Sequence, residues 1–215
     1  MKKKPATSPE RTTYRHGDLR RALIDAGVAL AREGGPDAVV LREATRRAGV
    51  APNAAYRHFA GREELIRGVR AQALAELALA MEAELAKLKK SDTPAYARAC
   101  LRAVGTGCLE FAQDQPGLYR TAFTIGQAGA GDGDPAKFGR SGMNPFQLLA
   151  AAIDKMVETG AMAPERRPGA EYLAWSAVHG LSLLIIEGPL LGRKTRAQTR
   201  VMGQRLLDMV EKGLA

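Results

Sequence analysis

The chain has 215 residues, 46% of them apolar, enough for one large domain or two small ones around a proper core, as in an ordinary soluble globular protein. Lys and Arg total 32 against 23 Asp and Glu, and the excess is uneven: residues 1–70 carry 15 basic and 8 acidic side chains, the remainder 17 and 15. A compact basic segment on a nearly neutral remainder is the charge layout of a polyanion-binding module, with a merely solubilising surface as the competing reading.

Residues 1–13 have the lysines, prolines and small polar residues of a flexible basic arm. Leu19, Ala22, Leu23, Ala26, Ala29 and Leu30 then recur at helical spacing up to Gly34, Gly35 and Pro36, which predicts a first helix. A second, short helix is expected over 41–48, with Leu41, Ala44 and Ala48 on one face and Gly49 as a left-handed cap. Pro52 suits the first turn of a third helix over 52–59, which turns Ala55 and Phe59 inward and leaves Asn53, Ala54, Arg57 and His58 largely outside. After Gly61 a helix of about 29 residues is expected from Arg62 to Lys90, roughly 43 Å long.

Further helices are predicted over 94–114, 116–123, 145–158, 168–187 and 194–214, with a flexible glycine-rich connection, GQAGAGDGDPAKFGRSG, over 126–142. No stretch alternates as a strand, so the expected class is all-α. It divides into an arm (1–13), a three-helix head (14–61) and a helical-bundle body (62–215) for ligand binding and dimerisation. Cys100 and Cys108 lie eight apart on one expected helix, roughly 12 Å along its axis. That exceeds the reach of a disulfide, so both read as buried thiols of a reducing compartment. The N-terminus lacks a signal-peptide core and the longest apolar run, 181–186, is too short to span a bilayer, so no membrane and a cytoplasmic location are expected.

The run RRAGVAPNAAYRHF (46–59) sets two short helices around a Gly-containing turn, the layout of a helix-turn-helix. A second helix of about 12 Å fits the major groove, which is about 12 Å wide. In the body, YLAWSAVHGLSLLII (172–186) is apolar around nearly its whole circumference. Cover by a second copy through this helix and the last one is expected, with complete burial inside a monomer as the competing reading.

LREATRRAGVAPNAAYRHFAGREELIRGV at 41–69, YRHGDLRRALIDAGVALAREGG at 14–35 and AWSAVHGL at 174–181 together resemble the TetR/AcrR family of transcriptional regulators, the last of them its WHG-type C-terminal domain. The resemblance implies an all-α homodimer that binds double-stranded DNA and commonly represses transcription from a palindromic operator. It also implies a body that binds a small-molecule effector. Val40 and Ala51 depart from the Ser or Thr that often caps the second and third helices in the family, so contacts from those positions do not carry over.

On this footing Asn53 is a candidate to pair with adenine, and Arg57 to reach guanine or a phosphate. Tyr56 and Arg62 match family positions that bind phosphates. His58 either assists at a phosphate or is only a favourable group ending its helix. Pro52 and Ala54 complete the face expected in the groove, while Arg42, Arg15 and His16 are candidate backbone contacts and Lys2, Lys3 and Lys4 a possible minor-groove arm.

In the body Phe111, Tyr119, Phe123, Phe146, Met156, Trp175 and His179 are expected to surround one interior, as pocket lining or as plain core. An apolar or weakly polar effector there would shift the long helix and change the separation of the two heads. Three dispersed histidines, no cysteine beside a base and no HExxH or paired-cysteine pattern argue against an enzyme, a metal site or a cofactor. GAGDGD (129–134) and GPLLGRKT (188–195) lack the context or spacing of a phosphate loop. A ligand carrier or scaffold without DNA binding is the remaining alternative, and it leaves the basic head unexplained.

Overall fold

The computed structural model describes residues 16–124 and 133–215, with the side chains of 16–18 outside that description. Arg15, Lys2, Lys3, Lys4 and most of GAGDGD therefore lie outside the described residues, as does the side chain of His16. Among the described residues the chain forms helices α1 (His16–Gly34), α2 (Leu41–Arg47), α3 (Pro52–Ala55), α4 (Arg62–Leu85), α5 (Pro94–Asp114), α6 (Pro116–Ala122), α7 (Pro145–Glu158), α8 (Ala170–Ile186) and α9 (Arg196–Leu214), and no strand. The fold is all-α, as expected.

Helices α1 to α3 and the start of α4 enclose one small core in which Leu23, Val39, Ala44, Ala55, Phe59, Leu65 and Val69 are fully buried. Helix α2 stops in a Schellman motif: Gly49 N–H donates to the Arg46 carbonyl (3.3 Å) and Val50 N–H to that of Thr45 (3.0 Å). Gly49 makes this possible by taking φ +67°, which a side chain disfavours. Neither Val40 nor Ala51 supplies a side-chain cap to the helix it precedes.

In the body α5 is the central helix, burying Cys100, Leu101, Val104, Cys108, Leu109 and Phe111, and it contacts α4, α6, α7, α8 and α9. Local chemistry sets the helix starts. Thr93 accepts from Tyr96 N–H (3.3 Å) before α5, and Asn144 with Gln147 and Thr195 with Gln198 form reciprocal capping boxes at α7 and α9.

Three expectations need correction. Helix α3 is shorter than 52–59: the chain tightens after Ala55, both His58 N–H and Phe59 N–H donating to the Ala55 carbonyl (2.9 Å each). Phe59 still reaches the head core, as expected, because its N–H keeps the i−4 bond to the Ala55 carbonyl and holds it one turn beyond Ala55 on the same face. Helix α4 ends at Leu85 because Lys87 and Leu88 switch to i−3 hydrogen bonds with Glu84 and Leu85, leaving the lysines of 87–90 beyond it. Its 24 residues extend about 36 Å. Finally, residues 133–142 are not a free linker. They include a 3₁₀ turn (Pro135–Lys137) packed on α4, and the Glu82 carboxylate accepts from Arg140 N–H (2.8 Å), Ser141 N–H (2.9 Å) and Ser141 Oγ–H (2.6 Å). Burial pushes the Glu82 carboxyl up, but these hydrogen bonds outweigh it and hold the group below its usual range.

Candidate nucleic-acid interface and effector cavity

The turn between α2 and α3 sets the tip of the head. Ala55 and Phe59 point into the core, so the residues between and before them must face outward: Pro52, Asn53, Tyr56 and Arg57 are exposed, Ala54 and His58 half-buried. Tyr56 is 61% exposed, unusual for an aromatic side chain in a folded head. Arg42, at the start of α2, is also exposed. Neither Arg42 nor Arg57 forms an ion pair within the described residues.

Other basic groups of the head are already engaged. Arg47 pairs with Glu33, bridging α2 to α1, and Arg46 pairs with Glu43, its Nε 2.9 Å from Oε2. Arg20 lies over the Phe59 ring at 5.3 Å, a cation–π contact that the sequence pattern does not reveal. Arg62, expected as a phosphate ligand, is partly engaged within the head. Its Nε donates to the Val39 carbonyl (2.9 Å) and an Nη to the Pro36 carbonyl (2.7 Å), tying the start of α4 to the loop before α2.

Among the described residues the body holds a narrow, mainly apolar cavity of about 40 Å³ between α4, α5, α6, α7, α8 and α9. Of the expected residues, Tyr119, Phe123, Trp175 and His179 line it. Phe146 sits behind Trp175, its ring 5.4 Å from the indole and 5.4 Å from Tyr172. Phe111 turns the other way, beside Glu76 and Ala80, and Met156 is fully buried core. The remaining walls are aliphatic, among them Leu77, Met81, Val104, Leu149 and Leu207, which the sequence pattern does not distinguish from ordinary core residues.

The polar groups of the cavity gather at one end. Tyr119 Oη lies 2.8 Å from His179 Nδ1 and 3.7 Å from Cys108 Sγ. Burial pushes the Cys108 thiol up to about 12, with the Tyr119 contact opposing. It also lifts the Tyr119 phenol far above its usual range, while burial lowers His179 against a weak opposing pull from Glu187. All three groups are therefore uncharged near neutrality. Arg102, the cavity's cation, is tied to α9 by Gln204 Oε1 (3.0 Å), Glu211 Oε2 (3.3 Å) and Asp208.

Helix α6 joins this cavity to the head. Tyr119 faces the cavity. Two residues earlier, Gly117 approaches the end of α1 so closely that a Cβ there would lie 2.1 Å from the Ala31 carbonyl oxygen. Arg120 spans the junction as well: its Nε is 3.1 Å from Glu187 Oε2 at the end of α8, and its guanidinium lies against Gly35 after α1. Arg70 Nε on α4 donates to the Ala122 carbonyl at 3.0 Å.

A three-helix head with an exposed helix-turn-helix tip, mounted on a helical body around an apolar cavity, defines a two-domain regulator architecture. Comparison with known proteins specifies it further. Residues 23–69 match the family described as bacterial regulatory proteins, tetR family, and residues 101–210 match the tetracyclin repressor-like C-terminal domain. The chain belongs to the tetR family, a family of transcriptional regulators and not of enzymes. The HTH-type transcriptional regulator BetI of Brucella canis is 30% identical over 108 residues, 50% of this chain and 53% of that protein. The chain thus spans about half the length of the curated relatives it matches.

Solved structures share the fold. A protein of unknown function from Rhodococcus sp. RHA1 has a TM-score of 0.72 at 22% identity, covering 95% of this chain and 100% of its own. A tetR-family regulator from Shewanella sp. PV-4 scores 0.58 at 17% identity (87% and 95%), and RolR in complex with resorcinol 0.57 at 18% (90% and 88%). Among the described residues no helix is long and apolar enough to cross a membrane.

Proposed function

We propose that the protein is a transcriptional repressor that binds a palindromic DNA operator as a homodimer and is released from it by a small molecule held in the body cavity. The observation that carries this reading is the tip of the head. Asn53, Tyr56 and Arg57 stand exposed beside a turn built by Gly49, whereas Arg46, Arg47 and Arg62 have partners within the protein. Asn53 is the candidate reader of adenine and Arg57 of guanine or a phosphate. Tyr56, His58 and Arg42 position the head on the phosphates, with Pro52 and Ala54 against the groove. Arg62 leaves the direct-contact set and instead braces the loop that carries α2.

Dimerisation is supported by the outer faces of α8 and α9. Leu173 and Leu184 on α8 and Val201 and Met209 on α9 are exposed apolar side chains, a surface that a second copy of the same helices can cover symmetrically. Release by an effector is supported by α6, which shares Tyr119 with the cavity and Gly117 with the head.

Selection of random duplex DNA by the purified protein, followed by salt titration of the enriched pool, tests the reading. The expected product is a short palindrome with half-sites about 34 Å apart or a multiple of it. Enrichment of nothing, with only weak salt-sensitive affinity, would leave a ligand-binding helical carrier as the better description.

A further inference from the structure

The cavity's own chemistry restricts the class of its ligand. Charge comes first. Arg102 is already neutralised by Asp208 and Glu211 on Nη1, with Gln204 on Nη2, and no acidic side chain lines the space. An ionised ligand would give up its hydration without gaining a counter-charge, a penalty of several kcal/mol or more.

Hydrogen bonding comes second. His179 lines the cavity; its Nδ1 is taken by Tyr119 Oη at 2.8 Å, while Nε2 makes no hydrogen bond to the described residues. If Tyr119 donates to Nδ1, then Nε2 carries the proton and needs an acceptor. If Nδ1 donates to Tyr119, then Nε2 is bare and needs a donor. A carbonyl serves one tautomer and a hydrocarbon serves neither. A hydroxyl serves both.

Shape comes third. Phe123 meets Trp175 at 5.2 Å and 80°, and His179 at 4.7 Å and 68°, an edge-to-face cluster that a further ring extends. The space is only about 40 Å³, against the roughly 150 Å³ that receives benzene in a well-studied engineered cavity. A single ring therefore already requires the walls to part, and Phe123, Trp175 and His179, all half-buried, are the walls with freedom to do so.

We propose that the cavity binds a small, uncharged, single-ring phenol, its hydroxyl on His179 Nε2 and its ring against Phe123 and Trp175; this rests on the reading of the cavity as the effector site. Trp175 is the chain's one tryptophan, so its emission reports occupancy directly. The test titrates the full chain, excited at the red edge of tryptophan absorption, with phenol, toluene and benzoate. Phenol is expected to give a saturable change with affinity at least about tenfold above toluene, the ratio that one net hydrogen bond of about 1.4 kcal/mol supplies, and benzoate to bind more weakly than phenol. His179→Leu is expected to abolish the preference for phenol while retaining toluene binding. If that variant does not fold by circular dichroism, His179→Gln, which keeps a hydrogen-bonding group, is expected to retain part of the preference.

Equal affinity for toluene and phenol, tighter binding of benzoate, or no saturable response to any of the three overturns the proposal. Operator binding followed in the same samples separates it from the wider reading. Phenol binding with unchanged operator affinity overturns effector-controlled release and leaves the ligand class standing. Operator release by a charged or ring-free compound at this cavity overturns the ligand class and leaves effector control standing.

Discussion

Replacing Gly117 by Ala tests how the head is fixed to the body. The added Cβ would lie 2.1 Å from the Ala31 carbonyl oxygen, 3.0 Å from that of Arg32 and 3.2 Å from the Ala31 carbonyl carbon, whereas ordinary contact begins at 3.4 Å. All three atoms are backbone, so no rotamer change relieves the clash, and α6 must retreat from α1 by about 1.3 Å. The Ala31 carbonyl also accepts the Gly35 N–H (2.8 Å) that closes α1, so the retreat disturbs the end of that helix too. Overpacking of this kind costs about 1–3 kcal/mol. For a chain of this length that lowers Tm by on the order of 3–9 °C. Gly61→Ala is the control, because nothing lies within 4 Å of the added carbon and its extended backbone (φ 174°) suits any residue. Differential scanning calorimetry of both variants is the assay. An unchanged Tm in Gly117→Ala would refute the close contact between α6 and α1 and, with it, the junction that the proposed effector release uses.

Arg57→Ala is expected to weaken operator binding and reduce the salt slope by about one per head, with stability unchanged within about 0.5 kcal/mol. Arg62→Ala, by contrast, removes the donors from the Pro36 and Val39 carbonyls and is expected to cost about 1–2 kcal/mol in a denaturant titration; equal stability of the two variants would return Arg62 to the phosphate-binding set. Leu173→Glu, at a position 68% exposed, is expected to shift sedimentation towards the monomer without loss of helicity, and an unchanged dimer would move the interface off α8. Because burial lowers His179 below the ordinary imidazole value of 6.5, the unfolded chain binds the proton first as the pH falls. Stability is therefore expected to decline as the pH drops through the window below about 6.5, and to decline less in His179→Leu.

The helices were legible because their limits are chemical. Pro52, Pro94, Pro116 and Pro145 begin helices, Gly49 ends one, and the apolar spacing of Leu19 to Leu30 runs through α1. What the pattern misplaced were two helix ends: α3, where His58 N–H turns to the Ala55 carbonyl, and α4, which stops at Leu85. In the candidate site, the exposed tip followed from Ala55 and Phe59 facing inward. The role of Arg62 did not, because its partners are the carbonyls of Pro36 and Val39, and main-chain acceptors leave no mark in the side-chain sequence. The cavity was half legible for a similar reason. Aromatic residues drew attention to Tyr119, Phe123, Trp175 and His179, but an aliphatic wall such as Leu77 or Leu207 has the same helical spacing whether it faces a neighbour or a space. Phe111 shows the converse, an aromatic residue on the cavity's own central helix that faces the opposite side.

The size of the cavity and the stiffness of α6 together bear on how a ligand could act at a distance. Ring-sized ligands need room that is not present in the 40 Å³ cavity, so binding must displace a wall. Phe123 and His179, two of the walls free to part, bear directly on Tyr119, by a ring contact at 4.9 Å and a 2.8 Å hydrogen bond, and the helix of Tyr119 has only seven residues, Pro116–Ala122, too short to absorb displacement by bending. On the proposed reading, movement passed on to Tyr119 reaches Gly117 and Arg120 within the same turn, and there it meets the carbonyl end of α1. A coupling of about 1–3 kcal/mol between ligand and DNA suffices for a five- to 150-fold change in operator affinity. The clash worked out for Gly117→Ala has the same range, so a wall displacement of about an ångström at Tyr119 is of the right order to loosen the head. A ligand small enough to enter without moving Tyr119 should bind and leave operator affinity unchanged, which makes the size of the effector, and not its affinity alone, the quantity that decides release.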